Sequence, residues 1–92
     1  MLFVATLTHS PEHCFMRPEN AKAAEENRKF FERRKEIEKE TGVKFLAAYI
    51  CPNEHTYYIV LETDNYKNVH KALGPVMTMN HVGKITPVYP VE

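Results

Sequence analysis

Apolar and polar positions along the chain fall into blocks of two kinds. Residues 2–8, 43–51 and 55–63 are short runs dense in β-branched, aromatic and aliphatic side chains, the composition of strands. Residues 81–89 have the same character but are interrupted by Gly83 and Pro87. Between the first two runs, Ala21, Ala23, Ala24, Phe30, Phe31 and Ile37 recur at spacings that include three, four and seven within a charged stretch. That thin apolar stripe predicts a surface helix packed by one face. Lys22 with Glu26, Glu25 with Lys29 and Arg34 with Glu38 lie four apart and support it. Pro18 suits its first turn and Thr41-Gly42 its stop. A second helix is predicted over 64–73. It is capped at Asp64 or Asn65, carries Tyr66, Val69, His70 and Leu73 on one stripe, and ends at Gly74-Pro75. His70, on that stripe, reads as a core or interface histidine rather than a ligand. Pro52-Asn53-Glu54 forms the hairpin between the second and third strands.

The element order is therefore β-α-β-β-α-β, a ferredoxin-like α+β domain occupying residues 1–92. Right-handed crossovers give a four-stranded antiparallel sheet of order 4-1-3-2 with both helices on one face. Pro87 agrees, because this order puts the fourth strand at an edge, where a missing amide is tolerated. The uncovered face should be polar in a monomer. Yet Phe45, Ala47 and Tyr49 alternate with Leu46, Ala48 and Ile50, and Tyr58 and Val60 with Tyr57, Ile59 and Leu61. Either choice of inward face leaves an apolar, aromatic outer face, so a homodimer through the sheet is expected.

Such a unit with an apolar sheet face resembles the dimeric α+β barrel superfamily, in which two sheets pack face to face. The resemblance covers the whole chain as architecture and implies a homodimer. The superfamily includes small cofactor-independent monooxygenases, muconolactone-isomerase-like enzymes and haem-handling proteins. No catalytic motif of these matches residues here, so none is carried over.

Composition narrows the function classes. The 92 residues carry twelve basic and twelve acidic side chains, a formal net charge of zero, which argues against a nucleic-acid partner. Sixteen of the charges lie between Arg17 and Lys44, so Arg33-Arg34-Lys35, beside Glu32 and Glu36, reads as a solvated helix face rather than a phosphate site. The longest uncharged apolar run, residues 2–7, is too short to span a bilayer, and nothing resembles a signal peptide. Two cysteines make no disulfide framework, so a cytoplasmic protein that engages no membrane is expected.

Topology gives the remaining residues meaning. The end of the sheet where the first strand finishes collects the 9–18, 51–55 and 74–81 segments. These contain His9, His13, Cys14, Met16, Cys51, His55, Met77, Met79 and His81. The opposite connections contain no histidine, cysteine or methionine. Neutral imidazole and thiolate are ligands for zinc, copper or iron, and thioether adds a preference for copper(I). His9, His13, Cys14 and His81 are the expected metal ligands, with Cys51 and His55 as completions. Ser10-Pro11 is expected to start a short turn that points His13, Cys14 and Met16 at the sheet end, and His9 and His81 to be neighbours across the ladder. The spacing matches neither CxxC nor HExxH.

Other chemistries use the same residues. His13, Cys14 and His81 are the catalytic candidates for an enzyme, with Cys14 activated at the start of the long helix. Arg17, Tyr49 and Tyr58 are candidates for binding a small ligand, and Glu12 and Glu54 for partnering a histidine. A Cys14–Cys51 redox pair is a further arrangement, and Met77 and Met79 read as an extended run plugging the sheet end. Three functions compete: a homodimer binding a small ligand or soft transition metal, a cofactor-independent isomerase or monooxygenase using histidine acid/base chemistry, and a structural or regulatory dimer.

Overall fold

The structure, a computed structural model, describes residues 1–78 and 81–91, with residues 76 and 78 described by backbone alone. Four strands, β1 (Leu2–Thr8), β2 (Lys44–Cys51), β3 (Thr56–Glu62) and β4 (Val82–Val88), form one antiparallel sheet of order β2-β3-β1-β4. Three helices join them: α1 (Ala21–Glu32), α2 (Arg34–Thr41) and α3 (Tyr66–Thr78). This is the α+β class and the strand order expected. Pro87 lies on edge strand β4.

The core lies between the sheet and the helices. Phe3, Ala5 and Leu7 of β1 and Ile59 and Leu61 of β3 are buried against Phe30 of α1 and Val69, Ala72 and Leu73 of α3. Strand periodicity sends every second residue of β1 inward, and Val4 and Thr6 to the uncovered face. In β2 the register shifts between Phe45 and Ala47, so Phe45 and Ala48 pair with the inward Leu61 and Ile59. This β-bulge breaks the simple alternation of β2. One extra residue moves Ala47 and Tyr49 outward while Phe45 stays in the core.

The long charged helix is two helices meeting at Arg33. Hydrogen bonds run through the junction, from the Arg33 N–H to Lys29 and Phe30 and from the Ile37 N–H to Arg33. The bend keeps both Phe31 and Ile37 against the core. Pro18 starts a single 3-10 turn, Pro18–Asn20, ahead of α1.

At α3 the expected stop is a stop and a restart. Gly74 leaves the helix with φ 64° and ψ 178°, and Pro75 begins a new helical turn, a position where its missing N–H costs nothing. Met77 is consequently helical and fully buried in the core rather than part of an extended run. Met79 lies outside the described residues. His70 is not in the core: Val69, Ala72 and Leu73 take the buried stripe, and His70 is exposed edge-on to the Tyr66 ring. No described helix is long and apolar enough to cross a membrane.

Candidate metal centre

The site starts from register. Thr8 pairs with Thr56 of β3 on one side and with Val82 of β4 on the other. The next residue outward on β1 is His9, which donates its N–H to the His55 carbonyl at 3.0 Å. His55 precedes β3 and His81 precedes β4, so three histidines from three strands stand in one row across the end of the sheet. Ring centroids of His9 lie 5.2 Å from His55 and 5.4 Å from His81. Because His9 follows Phe3, Ala5 and Leu7 in parity, its side chain enters the protein rather than solvent, and it is only 4% exposed.

The segment after β1 brings in the thiol. A 3-10 turn at Pro11–His13 hands over to an extended Cys14, whose carbonyl accepts hydrogen bonds from the Asn20 side chain at 2.9 Å and the Arg17 N–H at 3.1 Å. The ligand atoms of His9, Cys14 and His55 all lie within 4.8 Å of one another. Ligands of a tetrahedral site with bonds of 2.0–2.3 Å stand roughly 3.3–3.8 Å apart. The three residues are thus close enough together to hold one ion.

Two features show unmet demand at this end. Neither ring nitrogen of buried His9 has a hydrogen-bond partner among the described residues. An unpaired buried polar group costs about 1–3 kcal/mol. His55 sits in the left-handed region at φ 53°, the only non-glycine residue described there, a conformation that costs an L-residue about 1–2 kcal/mol. Burial, reinforced by the charges of His81, His55 and His13, holds the His9 pKa below its ordinary 6.5. Burial likewise lowers that of His81, opposed by the Met77 backbone carbonyl. Both therefore favour neutral imidazole, the form that ligates metals.

Aromatic rings close off the inner side. Phe15 packs 4.9 Å from His9, and both Phe15 and Tyr57 flank His81. The outer side opens into a cleft of about 260 Å³ walled by Phe15, Met16, Ile50 and Pro52 alongside His9, Cys14 and His55. The three donor residues thus border a cleft that is accessible from outside.

The other candidates lie elsewhere. His13 is exposed on its 3-10 turn and stays outside the converging group, although it follows Ser10-Pro11 as expected; Ser10 makes no side-chain cap. Cys51 pairs with Thr56 and shares the parity of Thr8, which places it on the opposite face of the sheet from His9. Both cysteines are free, and that parity separates them. Cys14 is also too far ahead of α1, which begins at Ala21, to feel its dipole. Arg17 pairs with Glu19 at the surface. Tyr49 and Tyr58 are register partners on the uncovered face, where the Tyr58 hydroxyl donates to Glu54 at 3.0 Å. Neither tyrosine reaches the histidines, and Glu54 is thereby engaged away from them. Glu12 is exposed and contributes only its carbonyl, to Asn20.

His55 carries more of the site than its sequence context indicates. The signal for it was the strand order itself: β1 beside β3 makes the residue before β3 the lateral neighbour of the residue after β1.

No curated protein and no solved structure matches this chain. The model of one family, described as a domain of unknown function (DUF3303), matches residues 1–92, and the chain belongs to that family.

Proposed function

We propose that this domain binds one soft transition-metal ion through the imidazoles of His9 and His55 and the thiolate of Cys14. The observation that carries the reading is His9: almost fully buried, unpaired at both nitrogens among the described residues, and within ligating reach of a thiol and a second imidazole. Nitrogen and sulfur donors select zinc, copper or iron over magnesium or calcium. The test is titration of the reduced, metal-free protein with zinc(II) and copper(I), each against a chromophoric chelator. One equivalent should bind the native chain. Cys14→Ser should weaken binding at least 100-fold, since it removes the one anionic ligand. No binding tighter than micromolar by the native protein contradicts the proposal.

The same reading includes a second copy of the chain on the uncovered sheet face. Tyr49 and Leu46 are mostly exposed there, beside Val4, Val60 and Tyr58, among Thr6, Thr8, Thr56 and Thr86, with Lys84, Lys44 and Glu62 on the same face. Apolar area of this kind, rimmed by polar groups, favours burial against its own copy. Light scattering should find a dimer in solution, and a monomer at tens of micromolar contradicts this part.

A further inference from the structure

We propose that the ion held at this site is copper(I), with the thioether of Met16 as its fourth ligand. This rests on the metal-binding reading above and adds the identity of the metal and one ligand.

Charge is the first argument. Two neutral imidazoles and one thiolate contribute a charge of minus one, so copper(I) gives a neutral centre and any divalent ion a centre of plus one. Among the described residues, those walling the cleft include no carboxylate. Glu54 is engaged by Tyr58, and Glu12 is exposed with its side chain outside the converging group. An uncompensated positive charge against Phe15, Ile50 and Pro52 is disfavoured by the low local polarity, whereas a neutral centre is not. The other buried group beside the site, His81, offers no negative charge either.

Met16 is the second argument. It is 89% exposed, the most exposed large side chain of the site region, yet it walls the same cleft as His9, Cys14 and His55. The turn closed by the Arg17 N–H on the Cys14 carbonyl holds Cys14 and Met16 two residues apart on one loop. A thioether is neutral and soft, so it can fill the open position of a copper(I) centre without changing its charge. It is a poor ligand for zinc(II). Folding Met16 over the ion would bury an apolar side chain that otherwise stands in water. The apolar wall of the cleft then keeps water from the metal and favours the lower oxidation state.

The experiment uses the whole reduced chain under anaerobic conditions, loaded with copper(I) and separately with zinc(II). X-ray absorption of the copper(I) form should show two nitrogen and two sulfur ligands, falling to one sulfur in Met16→Leu. Chelator competition should show Met16→Leu weakening copper(I) at least 10-fold while zinc(II) affinity changes less than 2-fold. Met16 is exposed, so the variant keeps the fold, which circular dichroism confirms. One sulfur in the native spectrum, or unchanged copper(I) affinity in Met16→Leu, overturns the thioether ligand. Zinc(II) binding without copper(I) binding overturns the copper assignment while leaving the metal site standing. Binding of neither ion overturns both.

Discussion

The two ends of the sheet are built on opposite terms. At the end that carries the α2–β2 and β3–α3 connections, polar groups find partners. Gly42 takes the left-handed conformation that suits glycine and closes α2 through its N–H on Glu38, while Glu38 itself accepts the Phe45 N–H. Thr41 bonds back to Ile37, Thr63 donates its N–H to Met1, and Asn65 caps α3 through the Lys67 N–H. At the other end a buried histidine has no hydrogen-bond partner among the described residues, and a histidine, not a glycine, occupies the left-handed position. The first end follows the rules for stability. The second violates them with the residue types that bind metals, which is where function is expected to be found.

Substitutions at the two ends should have opposite consequences. The largest effect belongs to His9→Leu. It should abolish metal binding, a loss of at least 100-fold, while leaving the metal-free protein as stable or about 1 kcal/mol more stable, because an unpaired buried group is removed. Urea unfolding with and without metal measures both. A loss of 3 kcal/mol or more from the metal-free protein would mean that His9 is a structural residue.

Gly42→Ala at the opposite end should do the reverse. Nothing approaches within 4 Å of the added methyl, so only the backbone at φ 74° resists it. The expected cost is about 1–2 kcal/mol, with metal affinity unchanged.

Acid should act through the end that carries the histidines. His9 and His81 have pKa values below 6.5 in the folded chain, so the unfolded chain binds protons first as pH falls. The metal-free protein should keep this part of its stability above pH 6.5 and lose it as pH falls through 6.5 toward the lowered folded values. Unfolding midpoints across that range test this, and a midpoint that rises on acidification opposes it. The smallest effect is that of His13→Ala, since His13 is exposed and outside the converging group. Metal affinity should change less than 2-fold, and a loss above 10-fold would put His13 back among the ligands.

How much of this was legible in the sequence follows from which forces act locally. β1 was readable to the residue, because an apolar run beside a polar turn has one register. Strand order followed from handedness and from Pro87, and the order put the histidines at one end. The β2 bulge was not readable, because nothing in Phe45-Leu46-Ala47 distinguishes one residue per rung from two. Gly74-Pro75 signalled a stop correctly, but the same proline also starts a turn, and only packing of Met77 into the core decides that the chain resumes a helix. His70 departs from expectation for a similar reason. Helix periodicity put His70 near the core stripe, but Val69, Ala72 and Leu73 fill it. Within the site, His9 and Cys14 were placed on one loop. His55 depended on a lateral contact between strands far apart in the chain, and Cys51 on which face of β2 the bulge left it.

Whether the unpaired end is a metal site is tested most directly by metal content and stability measured together on the native chain and His55→Gly. Glycine suits the left-handed backbone at position 55, so the variant should fold with a midpoint at least equal to that of the native metal-free protein. Anaerobically purified, metal-loaded native protein should hold one ion per chain and the variant none. A native chain that holds no ion, or a variant that holds it as well as the native chain does, would contradict the account.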